Sequence, residues 1–85
     1  MKLRFAASFE PDYQKLTRRL QTTLETKLGI LLENAKHPSL RVKKMEGVGA
    51  IYEARITRGY RFTFQKEAYG YLLRRVGPHD ILRNP

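Results

Sequence analysis

The stretch Ile51-Tyr52-Glu53-Ala54-Arg55-Ile56-Thr57-Arg58-Gly59-Tyr60-Arg61-Phe62-Thr63-Phe64-Gln65-Lys66 decides the fold of this 85-residue chain. Two alternating runs, Ile51 to Thr57 and Tyr60 to Lys66, flank Arg58-Gly59, and period-two alternation is the mark of a strand with one face buried. A two-residue link ending in glycine joins them as a hairpin, with the glycine expected to supply a positive φ. The hairpin then fixes the register. With Tyr52, Ala54, Ile56, Tyr60, Phe62 and Phe64 turned inward, Glu53, Arg55, Arg61, Thr63 and Gln65 must share the opposite face.

Toward the C-terminus, Tyr69 to Val76 reads as a third strand. Both of its alternating rows are mostly apolar, as in a central strand, so parity leaves open which arginine joins Arg61; Arg75 is the expectation. Gly77-Pro78-His79-Asp80 follows. In the other direction, Gly47-Val48-Gly49 is a loop, Arg41 to Met45 a weak strand pattern, and Asn34 to Pro38 the end of a helical region.

That helical region carries Leu16, Leu20, Leu24, Leu28, Leu31 and Leu32 at intervals of three or four residues or adjacent, with Arg18, Arg19, Gln21, Glu25 and Lys27 on the other faces. The pattern predicts an amphipathic helical hairpin or bent helix. Pro11 suits its first turn, Thr17 can cap a new helix after a break, and the helix runs through Gly29. Leu3, Phe5, Ala7 and Phe9 alternate with polar and small residues as a first strand. The order β-α-α-β-β-β predicts one α+β domain over residues 1–85: a mainly antiparallel twisted sheet with a helical hairpin packed on one face.

Seventeen Lys and Arg against eight Asp and Glu give a formal charge of +9, spread from Lys2 to Arg83. Such density favours a polyanionic partner through counterion release. The chain has no cysteine, which suits a reducing compartment, and no apolar run approaches the roughly 20 residues of a membrane span. A cytoplasmic protein without membrane contact is expected. Two distant histidines and scattered carboxylates form no metal-ligand pattern, and neither a phosphate-cradling glycine loop nor GxSxG is present. No cofactor is expected.

RNA can be cleaved without metal by driving its own 2′-hydroxyl onto the neighbouring phosphate. The reaction needs a base, an acid for the leaving 5′ oxygen, and fixed positive charge for the phosphorane. Arginine supplies the charge as a planar fork. Histidine, ordinarily titrating near neutrality, exchanges the proton. Arg61, Arg75 and His79 are the catalytic candidates, and Glu53 and Arg55 are candidates for catalysis or substrate positioning. Lys43, Lys44, Arg58 and Arg74 are candidate RNA or ribosome contacts. His37, before Pro38 at a helix end, reads as structural.

The ordered set of the helical hairpin, His37-Pro38-Ser39-Leu40, Tyr52-Glu53-Ala54-Arg55, Gly59-Tyr60-Arg61 and Arg75-Val76-Gly77-Pro78-His79-Asp80 resembles the RelE/ParE superfamily of bacterial toxins from type II toxin-antitoxin modules. The resemblance covers nearly the whole chain and implies the same fold. It also implies ribosome-dependent mRNA cleavage in the decoding site, with contacts to 16S rRNA, restrained by an acidic, partly disordered antitoxin in a hetero-oligomer. The antitoxin's amphipathic helix is expected on the leucine-rich hairpin. Arg61 matches the family's arginine after the Gly-Tyr hairpin, Arg55 a basic residue on the preceding strand, and Arg75 and His79 the active-site pair of the YafQ-like branch. In the RelE branch an arginine stands at the place of His79. The glutamate that some members carry before the second strand has no counterpart near Ser39. Nor does Arg83-Asn84-Pro85 offer the C-terminal aromatic of others, so the general base is unassigned, with Glu53 a candidate. Two other readings share these residues: a ParE-type inhibitor of DNA gyrase, and a non-catalytic RNA- or ribosome-binding module.

Overall fold

A computed structural model describes residues 1–47 and 49–85. The elements are β1 (Lys2–Phe5), α1 (Phe9–Gln14), α2 (Arg18–Glu33), a 3-10 turn at Pro38–Leu40, β2 (Lys43–Lys44), β3 (Ile51–Thr57), β4 (Tyr60–Glu67), β5 (Gly70–Pro78) and a second 3-10 turn at His79–Arg83. The strands form one five-stranded sheet in the order β1-β5-β4-β3-β2. All neighbours are antiparallel except β1 and β5. This is the α+β architecture anticipated from the sequence.

The β3–β4 hairpin falls where its alternation places it, with Thr57 facing Tyr60 across Arg58-Gly59. Ala54, Ile56, Phe62 and Phe64 are buried and meet Leu24, Leu28 and Leu31 of α2 in the core. Those leucines recur at the helical interval, so one stripe of α2 covers the sheet. Thr17 caps α2, its hydroxyl accepting from the backbone N-H of Leu20 at 3.3 Å. Gly29 lies inside the helix. Tyr13 donates to Glu25 at 2.7 Å and Gln21 donates to the Tyr13 carbonyl, tying α1 to α2. The positive φ expected at Gly59 occurs at Gly47 and Gly49 instead. Of the Gly47-Val48-Gly49 loop, Val48 lies outside the described residues.

Two expectations about strand limits also require correction. The first strand ends at Phe5, not Phe9, and Phe9 opens α1. The reason lies in β5, where Thr63 faces Arg75 while Phe64 faces Leu73, making Arg74 an extra residue in a bulge. β1 pairs with β5 only as far as Leu73. Beyond it, side chains replace strand pairing: Ser8 Oγ donates to the Arg74 carbonyl at 2.6 Å, and Asp12 Oδ2 accepts from the Val76 N-H at 3.2 Å. The chain must leave the strand before Ser8 to bring these groups to the edge, and backbone groups there would otherwise lack partners. The bulge also explains the mixed parity of the last strand, because Leu73 and Val76 are both buried although three residues apart. The weak pattern at Arg41 to Met45 contracts to the two residues of β2.

Two stability tests follow from this geometry. An added Cβ at Gly70 would lie 1.8 Å from the Lys2 carbonyl oxygen, so Gly70→Ala must push β1 off the sheet. A loss of about 2–3 kcal/mol is expected in urea unfolding, at the upper end of overpacking costs. Asp12→Ala leaves the Val76 N-H and the Arg75 guanidinium without their acceptor; about 2–4 kcal/mol should be lost in the same measurement.

Candidate nucleic-acid interface

The sheet has an inner face under α2 and an outer face carrying the charged residues. Its pairing puts Lys43, Glu53, Thr63 and Arg75 in one cross-strand row. The next row holds Arg55, Arg61 and Gly77. Of the sequence-predicted residues, Lys43, Glu53, Arg55, Arg61 and Arg75 therefore share a face, whereas Lys44 pairs with the inward Tyr52, and their surroundings differ.

Arg61 is folded over the hairpin turn. Its Nη1 donates to the carbonyls of Thr57, Arg58 and Tyr60 at 2.8, 2.9 and 3.0 Å. Nε and Nη2 remain outside this carbonyl cage, with Glu53 Oε1 3.8 Å from Nε. Both side chains are mostly enclosed, 16% exposed for Arg61 and 12% for Glu53. Glu53 thus pairs diagonally with Arg61, and among the described residues no ion pair joins it to Arg55 on its own strand. Arg55 Nε donates to the Thr57 carbonyl at 3.4 Å. Burial and then the repulsion of Arg41, Arg61 and Arg58 push its guanidinium below the ordinary arginine value.

Arg75 stands apart from this group. Nε and Nη2 form a bidentate pair with Asp12 at 2.5 and 3.2 Å, and Nη1 donates to the Asn84 carbonyl at 3.0 Å. The Asp12 hydrogen bonds hold its guanidinium above the ordinary value. One N-H on each Nη remains, because the three contacts use three of the five donors. Arg74 is pinned as well, to Gln65 Oε1 at 2.9 Å and to Pro85 O at 3.0 Å.

The C-terminal segment covers this half of the outer face. A Cβ on Gly77 would meet Ile81 at 2.9 Å, and the buried Thr63 donates to Pro85 O at 3.3 Å. The β3–β2 half is open, with Lys43, Lys44 and Glu53 lining a cleft of about 370 Å³ together with Met45 and Glu46.

His79 begins the final 3-10 turn and is exposed, just past Pro78, which faces Tyr60. No hydrogen bond ties Asp80 to its ring among the described residues. A second cavity, about 270 Å³, brings Asp80 toward Arg75, with Asp12, Lys15, Tyr60 and Ile81 in its wall; His79 is outside it. His37 has a structural role: its Nδ1 accepts from the Ser39 N-H at 3.1 Å and caps the 3-10 turn.

Sequence reasoning gave no sign of Asp12, singled out no role for Arg41 and did not show how Thr63 is covered. Asp12 is one acid of a helix 63 positions before its partner, and only the fold joins them. Thr63 was assigned to the correct face but is covered by the tail. Arg41 opens the weak strand pattern but lies before β2, and no motif marks it. Among the described residues no three of His, Cys, Asp and Glu converge as a metal site, and no helix is long and apolar enough to cross a membrane.

No family model matches the chain, and no curated protein matches it in sequence. Solved structures do match in fold. A chain of the RelB-RelE antitoxin-toxin complex from Methanococcus jannaschii superposes with a TM-score of 0.76 at 17% identity, covering 95% of each chain. YafQ from E. coli gives 0.79 at 12% identity over 95% of this chain and 96% of its own. The YoeB/ParE toxin from Agrobacterium tumefaciens gives 0.78 at 18% identity over 93% and 99%. At such identities the likeness speaks for backbone architecture, and on that ground the chain has the RelE-like toxin fold.

Proposed function

We propose that this protein is the toxin of a type II toxin-antitoxin module and acts as a metal-independent, ribosome-dependent mRNA endoribonuclease. The observation that carries the proposal is the clustering of Arg55, Arg61 and Glu53 on the open half of the outer sheet face of a RelE-like fold. A carboxylate beside fixed guanidinium groups supplies what transfer of a 2′-hydroxyl to its neighbouring phosphate requires.

In this mechanism the Arg61 turn cage serves preorganisation. Carbonyls occupy Nη1 and aim the rest of the fork, so Nε and Nη2 meet a phosphorane without reorganising. Glu53 accepts the 2′-hydroxyl proton, Arg75 adds charge through its remaining N-H groups, and His79 donates a proton to the departing 5′ oxygen. Arg55, Arg58, Lys43 and Lys44 hold the flanking backbone and 16S rRNA, and Arg74 supports the covered edge.

An acidic antitoxin fits the +9 charge. Leu24, Leu28 and Leu31 are consumed by the chain's own sheet, so the expected docking of a partner helix on that leucine stripe moves to its margin. There a groove of about 270 Å³ lies between Phe5, Phe9, Tyr13, Leu24 and Leu28, with Phe5 55% exposed.

Primer extension on an mRNA under translation tests the reading. Wild type should cut, and Arg61→Ala, Glu53→Gln and His79→Ala should each slow cutting about 10²-fold or more, the scale of losing one charge-stabilising or proton-transfer group. Equal cutting by the wild type and all three variants would sink the mechanism. Gyrase inhibition with intact mRNA would sink the nuclease.

A further inference from the structure

We infer that Arg41 is a phosphate-binding residue, forming with Arg55 and Arg61 a guanidinium row that takes the backbone of a single RNA strand beside the site of cleavage. The inference rests on the RNA-cleaving reading and adds a binding residue to it. Lys43 faces Glu53 and Lys44 faces Tyr52. Arg41 lies two residues before β2 begins, at the level of Arg55 on β3 by count, and the intervening Val42 packs against the core, which leaves Arg41 toward the outer side; Arg55 itself faces Arg61. Two interstrand spacings make the row about 10 Å long, room for more than one phosphate.

Charge and backbone agree with this placement. Arg41 exerts the largest repulsion on Arg55, ahead of Arg61 and Arg58. Among the described residues, the three ion pairs engage none of Arg41, Arg55 and Arg58. Folding has gathered like charges with little internal neutralisation, and a polyanion relieves the repulsion.

Arg41 itself is exposed and adopts φ 46° and ψ 47° at the end of the 3-10 turn, the only non-glycine residue with positive φ among those described. A left-handed C-terminal cap favours glycine or asparagine, and a longer side chain there adds strain. A use for the side chain offsets that strain, and holding a phosphate together with Arg55 is the use inferred here.

Arg41→Gly separates stability from binding. Fluorescence anisotropy with a short single-stranded RNA at low salt should show binding weakened at least about fivefold, and a dependence of log K on log salt shallower by about 0.7. Its Tm should equal or exceed that of wild type. Arg19→Ala, which removes one charge from the exposed side of α2, should bind as wild type does. Wild-type affinity and slope in a folded Arg41→Gly variant would overturn the inference, as would equal weakening by Arg19→Ala or absence of RNA binding by the wild-type chain. The primer-extension assay judges the cleavage reading separately.

Discussion

One carboxylate organises the far half of this molecule. Asp12 accepts from the Val76 backbone N-H and from two nitrogens of Arg75, whose third nitrogen reaches Asn84. α1, the bulged part of β5 and the C-terminal segment are thereby joined through a single acid–guanidinium pair. Asp12 is buried and Arg75 only partly so, and taking such charges from water is costly unless hydrogen bonds satisfy them. Here three N-H groups converge on the acid, and no buried side-chain polar atom among the described residues lacks a partner.

The outer face is divided by this arrangement. On the β5 side, carbonyl oxygens of the tail engage Arg74, Arg75 and Thr63. On the β3 side, Arg55 and Arg58 have no carboxylate in ion-pair contact among the described residues, and Glu53 stands 3.8 Å from Arg61. On the covered side Asp12 neutralises Arg75 and carbonyls occupy donors of Arg74, whereas Arg55 and Arg58 keep their charge unpaired among the described residues where the sheet is open. A polyanion meeting this face finds its strongest attraction at the hairpin end.

How far the sequence could be read depended on whether the deciding contacts were local. The β3–β4 hairpin was legible because alternation and a two-residue link both depend on near neighbours, and the Thr17 cap acts three residues away. The end of β1 was not legible, since Phe9 continues the alternation as well as it starts a helix. What decides between them is the bulge at Arg74, on a strand 65 residues later. The shared face of Glu53, Arg55 and Arg61 followed from parity. The ties of Arg75 to Asp12 and of Arg61 to its own turn carbonyls did not, because parity assigns a side and says nothing of what a long flexible side chain finds there.

The parallel pairing of Lys2 to Phe5 with Gly70 to Leu73 has a consequence for the order of events during synthesis. Among the described residues β1 has no neighbour but β5, so Lys2 to Phe5 wait for the synthesis of Gly70 to Leu73 before their backbone groups can be paired. Such wide sequence separation slows closure and leaves the nascent β1 segment, with Phe5, unprotected. A polypeptide interrupted before Gly70 cannot pair β1 into its sheet.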